Sequence, residues 1–301
     1  MPRFSVIVPA FDAASTLEET LDAVVAQAFV DWECVVVDDG STDATYRIAT
    51  DFADRDARIR AIHQDNQGTA GAYNAGVSGA TGDFIVICSA DDILLPEHLA
   101  SMAAFIDAEP GFDIYSTNGF FGRPDGTREL VYRAGTNERV RSMSLSEVIA
   151  NCFYSVGATY RRSLFEEVGG YRPGVYGEDY DFWLRAMAGG ARHRYLAAAT
   201  SVHRQSDSQK SARFETVYRS DIRLYEDLRR DFDLDAEALR AIAAAIRDRE
   251  DDIARLHRAP GFVRDVARPA VRRLLVIMVG ERRTQRIARA VSRALLRLGL
   301  Q

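Results

Sequence analysis

Several things are scarce in this chain, and each scarcity closes an option. Three cysteines, Cys34, Cys88 and Cys152, stand far apart in apolar segments, which excludes a disulfide framework and a zinc knuckle and fits a reducing compartment. Lys210 is the only lysine, so arginine carries the remaining positive charge; this is a usage bias with no chemistry attached. The apolar run Leu274–Val279 is far shorter than the ~20 residues needed to span a bilayer. The first strand-like run, Phe4-Ser5-Val6-Ile7-Val8, begins so early that no signal peptide fits before it, and a cytoplasmic protein is expected. The turn after that run, Pro9-Ala10-Phe11-Asp12-Ala13-Ala14, lacks the Gly-x-Gly-x-x-Gly pattern and excludes a dinucleotide-dependent dehydrogenase. His63, His98, His193 and His257 show no metal-binding spacing, and His203 reads as a satisfied or solvated histidine.

What is present is an ordinary globular composition: 301 residues, 47% of them hydrophobic, enough to bury a sizeable core. The net charge of −6 is unevenly placed. From Arg264 to Gln301 ten arginines face only Asp265 and Glu281, giving that segment +8 and the remainder −14. No nucleic-acid-binding pattern emerges.

Runs suited to buried strands recur at Phe4–Val8, Cys34–Val37, Ile59–Ile62 and Phe84–Ile87. Between and after them lie helical spacings: a first helix opened by a capping box at Ser15-Thr16-Leu17-Glu18, then helices at Ala44–Phe52, Thr69–Ala80 and Glu97–Asp107. The alternation predicts an α/β fold, a Rossmann-type, mostly parallel sheet flanked by helices. From about Phe112 it stops; a strand at Asp113–Ser116, a hairpin turn at Pro124-Asp125-Gly126 and a helix capped by Ser144 with Glu147 follow. Beyond Phe214 the chain turns helical, with Phe214, Val217, Tyr218, Leu224, Tyr225 and Leu228 on one face, then Leu239, Ile242, Ile246 and Ile253.

In open sheets of this kind ligands bind beyond the carboxyl ends of the strands. Parallel strands would bring Asp39, in Asp38-Asp39-Gly40-Ser41, and Asp91, in Ser89-Ala90-Asp91-Asp92, to one edge as an acidic cleft. Adjacent carboxylates such as Asp91 and Asp92 can hold a hard divalent cation together with substrate phosphates, or simply end a strand and cap the next helix. Asp39 could accept a hydrogen bond from a pyrimidine imide or belong to a plain turn. Phe11 could stack on a base or sit in the core. Glu178 and Asp179, with Asp181, open a helix bearing Phe182, Trp183 and Met187, where negative charge is favoured in any case.

Taken together, Ser5–Asp12, Val36–Asp43, Asn66-Gln67-Gly68 through Asn74-Ala75-Gly76, Ala80–Asp83, Ala90-Asp91-Asp92 and Glu178-Asp179 resemble the ordered motifs of the family-2 glycosyltransferases of GT-A fold over about residues 3–205. The resemblance implies a GT-A-like catalytic domain at 1–211, with a nucleotide-sugar-binding half at 1–110 and an acceptor-side half at 111–211. A helical C-terminal region follows at 212–301. It implies that Phe11 and Asp39 flank the base, with Pro9, Ser89, Ala90 and Glu178 also at the substrate. Asp91, with Asp92, would bind Mg or Mn at the diphosphate, and Asp179 would act as general base for an inverting displacement. The donor would be a nucleotide-diphosphate sugar, with a UDP-sugar favoured, and the acceptor a saccharide or lipid-linked sugar in cell-surface polysaccharide or glycoconjugate synthesis.

The chain departs from the pattern in three places. Ser89 stands where many members begin a D-x-D motif with aspartate, Asp12 replaces an asparagine, and Tyr73 replaces an arginine before Asn74. That leaves phosphate binding to the metal or to Arg204, and leaves open a non-catalytic nucleotide-sugar binder. In the tail, Arg286, Arg289, Arg293 and Arg297 share one helical face opposite Ile287, Val291, Leu295 and Leu298. Such a helix suits an anionic membrane surface at the inner face, or docking on its own domain or in a homodimer.

Overall fold

The computed structural model describes residues 1–123, 126–131, 140–151, 156–204 and 214–258. Strands β1 (Phe4–Ala10), β2 (Trp32–Asp38), β3 (Ile59–His63) and β4 (Phe84–Ile87) pair in parallel in the order β3-β2-β1-β4, with Phe4 level with Trp32 and with Phe84. Every residue of β1 is buried, as a strand covered on both faces requires. Side chains alternate between two cores: Ile7, Val35, Val37 and Ile85 enter one, while Val6, Val8, Cys34, Val36 and Val86 enter the other.

Helices α1 (Leu17–Val25), α2 (Thr45–Arg55) and α4 (His98–Ala108) cover the second core. The first is covered by α3 (Gly68–Gly79) and, later in the chain, by α5 (Leu145–Asn151), α6 (Ser163–Val168) and α7 (Glu178–Ala188). The capping box expected for α1 does not form. Thr16 takes the N-cap position without a side-chain cap, and its hydroxyl turns back to donate to the Ala13 carbonyl at 3.3 Å. The box at α5 does form: Glu147 N–H donates to Ser144 Oγ at 3.2 Å and Ser144 N–H to Glu147 Oε2 at 2.9 Å.

The second half of the sheet is mixed. The short β5 (Ile93–Leu94) lies at its far edge, and β9 (Thr159–Arg161) inserts antiparallel between β4 and β6 (Ile114–Gly122). The long β10 (His193–Arg204) runs parallel to β6 and antiparallel to β5 and to β8 (Val140–Met143). A hairpin pairs β6 with β7 (Arg128–Leu130) where the turn was expected, although Pro124 and Asp125 lie outside the described residues.

Helices α8 (Phe214–Asp231) and α9 (Ala236–Arg258) bury Leu224, Tyr225, Leu228 and Ile242 in the same core as Phe182 and Trp183. The C-terminal helices therefore complete the core over α7. Leu239, expected on the inner face, is instead 41% exposed, and Ala238 takes the buried place. Among the described residues no helix is long and apolar enough to cross a membrane. The basic tail and Cys152 lie outside the described residues.

Candidate active site

The ends of β1, β2 and β4 converge because β1 lies between the other two. Pro9 is buried in β1, level with Val37, and Phe11, just beyond the strand, is 52% exposed. Asp12 has φ +45° and locks the two neighbouring loops: its N–H donates to Ser41 Oγ at 2.9 Å, and its Oδ1 accepts the Thr42 N–H at 2.9 Å.

Asp39 is 3% exposed. Its N–H donates to the Ala10 carbonyl at 2.9 Å, and its Oδ1 accepts Gln64 Nε2 at 2.7 Å and the Gln67 N–H at 2.8 Å. Gly40, at φ +76°, permits this closeness; a Cβ there would lie 2.9 Å from the Asn66 nitrogen. The neighbouring Asp38 is engaged differently, with Oδ2 2.6 Å from His63 Nδ1.

After β4 the chain turns, Asp92 N–H donating to the Ser89 carbonyl at 3.0 Å, and the turn is tied to α1 by Thr20 Oγ1, which lies 2.9 Å from the carbonyls of both Ala90 and Asp92. Ala90 is buried and Ser89 half-buried. The two adjacent carboxylates diverge. Asp91 is partly exposed, and its carboxylate accepts no hydrogen bond among the described residues. Asp92 is 2% exposed, and its Oδ1 contacts His203 Nδ1 at 3.0 Å and accepts the Arg204 N–H at 3.2 Å. Burial raises the Asp92 pKa, with the His203 ring opposing it.

The Arg204 guanidinium bonds the Asp91 carbonyl, pairs with Glu19, and reaches the Thr16 carbonyl at 3.1 Å and Thr20 Oγ1 at 2.9 Å. This guanidinium, expected to face phosphate, thus clamps α1 to the Asp91 turn.

The first turn of α7 carries three carboxylates with separate fates. Asp181 is fully buried between Arg172 and Arg185, the latter at 2.8 Å. Glu178 is half-buried and Asp179 solvent-exposed. The Asp179 carboxyl is pushed up to about 6, first by hydration lost to the protein atoms crowding it and then by the Glu178 charge. The Tyr180 N–H, which donates to Asp179 Oδ1 at 2.8 Å, and the His203 ring act against that rise.

Tyr73 is 3% exposed and stacks on Tyr171 at 4.8 Å between centroids. Burial holds its phenol well above its usual range, as do the nearby Asp179 and Glu178 charges, while the Ser89 hydroxyl works the other way. Ser89, Tyr73, Glu178, Asp179, His203 and Asp92 therefore share one locality. Sequence reasoning missed the parts played by Gln64 and His203; neither carries a signal beyond being polar at a strand end. A cavity of about 320 Å³ on the outer side of α3 is bordered by Gln64 and Gln67 but by neither Asp91 nor Asp179.

The donor set suits a hard cation. Among the described residues no three His, Cys, Asp or Glu side chains gather into a closed metal cage, whereas a single uncommitted carboxylate, Asp91, stands at the cleft. Mg²⁺ and Mn²⁺ are commonly held that way, by one or two carboxylates with phosphate oxygens and water completing the shell.

The profile of glycosyl transferase family 2 matches residues 5–169. This chain belongs to that family. A PGL/p-HBAD biosynthesis glycosyltransferase of Mycobacterium tuberculosis is 34% identical over 213 residues, 66% of this chain and 76% of that one. A glycosyltransferase of Nostoc sp. is 32% identical over 173 residues, 55% of this chain but only 53% of the relative's length. Among solved structures, Staphylococcus aureus TarS 1-349 in complex with UDP-GlcNAc superposes with a TM-score of 0.68 at 23% identity, over 83% of this chain and 72% of that one. The mannosyltransferase PcManGT of Pyrobaculum calidifontis, with GDP-Man and Mn2+, gives 0.64 at 21% identity over 98% and 81%. The GT-A-type fold expected of family-2 members is thus the fold of this chain.

Proposed function

We propose that this family-2 member is a metal-dependent, inverting glycosyltransferase that moves a sugar from a nucleotide-diphosphate donor, favoured as a UDP-sugar, to an acceptor hydroxyl. The observations that carry the reading are Asp91, just beyond β4, whose carboxylate accepts no hydrogen bond among the described residues, and Asp179, exposed in the first turn of α7 with its carboxyl pushed up to about 6. A base poised close to neutral pH is ionised in the cell yet able to take a proton.

In this reading Phe11 and Asp39 receive the base, while Pro9, Ser89 and Ala90 shape the donor's bed. Asp91 holds the divalent metal, and Asp92, turned inward, braces His203 and the Arg204 backbone. A bound Mg²⁺ or Mn²⁺ supplies positive charge where negative charge develops on the leaving phosphate. Asp179 accepts the proton of the acceptor hydroxyl as its oxygen bonds the anomeric carbon from the face opposite the breaking carbon–oxygen bond, which inverts the centre. Glu178 keeps Asp179 basic. With Tyr73 buried and Arg204 bonded to Glu19 and α1, neither of these two positions brings a cation to the diphosphate, so binding should depend on the metal.

The acceptor is proposed to be a saccharide or lipid-linked sugar of cell-surface glycoconjugate synthesis. The arginine-faced tail would bring the enzyme to the inner membrane surface, or pair two copies. The test is release of nucleoside diphosphate from a panel of UDP- and GDP-sugars with Mn²⁺ and candidate acceptors. Acceptor-dependent release that Asp179→Asn abolishes while nucleotide binding persists supports the reading. Nucleotide binding without turnover on any acceptor would point to a binder instead.

A further inference from the structure

The fold alone leaves the donor's base open, since structures of this fold include complexes with both UDP-GlcNAc and GDP-Man. The geometry around Asp39 is more selective. Its Oδ1 takes two hydrogen bonds, from Gln64 Nε2 at 2.7 Å and from Gln67 N–H at 2.8 Å. A carboxylate oxygen has two lone-pair sites, so Oδ1 is saturated. Oδ2 accepts nothing among the described residues and is not one of the buried atoms left without a partner, so it opens to solvent at the cleft.

The loop that delivers both donors is held rigidly. The Gln64 N–H donates to the Asp38 carbonyl at 3.0 Å, and α3 approaches the loop at Gly71, where a Cβ would stand 2.5 Å from Gln67 Cβ and 3.7 Å from Gln64 Nε2. Asp39 itself is pinned through its N–H to the Ala10 carbonyl. The carboxylate can neither rotate freely nor offer both oxygens.

We propose that Gln64 determines nucleotide specificity by occupying one oxygen of Asp39, leaving a single acceptor that fits the lone imide N–H of uracil or thymine. Guanine presents two parallel donors, N1–H and the 2-amino group, which need both carboxylate oxygens for a bidentate contact. Cytosine presents a ring-nitrogen acceptor where the imide has a donor. A buried site built for one donor rejects a base whose groups would stay unpaired. This inference rests on the donor-binding reading above.

The experiment is calorimetric affinity for UDP, dTDP, CDP and GDP with Mn²⁺, on wild type, Gln64→Leu and Gln64→Lys. Wild type should bind UDP and dTDP at least ~10-fold tighter than GDP and CDP. Gln64→Leu frees a lone pair on Oδ1 and should narrow the UDP-to-GDP ratio by ~5-fold or more, whereas Gln64→Lys restores a donor and keeps the ratio. Melting temperatures read alongside separate a folding defect, which would weaken all four nucleotides together. An unchanged ratio in Gln64→Leu, or a wild type that prefers GDP, overturns the inference while leaving a nucleotide site in place. A wild type that binds none of the four overturns the site reading and this inference with it.

Discussion

Replacing Glu178 with glutamine removes a negative charge one residue from Asp179 while keeping the size of the side chain. Asp179 stands at about 6 against an ordinary 3.8, with lost hydration the larger cause and Glu178 the second. Because solvent reaches Asp179 through the open cleft, the charge effect is screened, and the expected shift is about half a pH unit. The sign follows from the role. Asp179 is a base only when ionised, so activity rises with pH through its pKa, and below pH 6 it falls ~10-fold per unit. Glu178→Gln eases ionisation and moves this acid limb to lower pH. Initial rates of nucleoside diphosphate release from pH 4.5 to 8.5, at saturating donor and metal, would show it. An acid limb that stays put or moves upward in a folded variant refutes the assignment of Asp179 as the titrating base.

The same displacement has a stability counterpart. A carboxyl whose folded pKa is raised binds more protons folded than unfolded between about pH 4 and 6, so its ionisation destabilises the fold above pH 6 and the loss is recovered as pH falls. Asp179→Asn should therefore melt slightly higher than wild type at pH 7.5, the gain being reduced by solvent screening at this exposed group, with the gap closing by pH 4, while transfer is lost. Asp181→Asn removes the buried carboxylate shared by Arg172 and Arg185, leaving them Asp227 and the Val168 and Gly170 carbonyls, and should cost about 3 kcal/mol in chemical denaturation; a loss under about 1 kcal/mol would show that those remaining partners suffice. Deleting residues 282–301 should abolish co-sedimentation with anionic liposomes; unchanged co-sedimentation refutes the membrane role of the basic face.

Strands β1, β2 and β4 were legible as short apolar runs buried almost throughout, and the edge strand β3 through Ile59 and Ile62; the matching helices were found within a few residues of their ends. The insertion of β9 between β4 and β6 was not, since pairing across the sheet leaves no local trace in three residues, Thr159–Arg161. Two identical cap signatures had opposite outcomes: Ser144 with Glu147 closes its box, whereas the Thr16 hydroxyl is drawn to Ala13. The acidic strand ends were readable as a group. What each carboxylate does was not, because it depends on partners brought up by other elements: Asp92 meets His203, Asp39 meets Gln64, and Asp181 meets Arg172 in the loop before its own helix. Nor does the sequence show that Arg204, one candidate for phosphate beside the metal, bonds the Asp91 carbonyl and pairs with Glu19 of α1, some 185 residues earlier.

In the proposed reading, Asp91 couples divalent metal to nucleotide binding. Thermal stabilisation by UDP with and without Mn²⁺, on wild type and Asp91→Ala, tests it most directly. UDP should raise the melting temperature of the wild type only when Mn²⁺ is present, and Asp91→Ala, with an unaltered melting temperature of its own, should lose the effect. Equal stabilisation of wild type and Asp91→Ala, or stabilisation by UDP that ignores the metal, would contradict it.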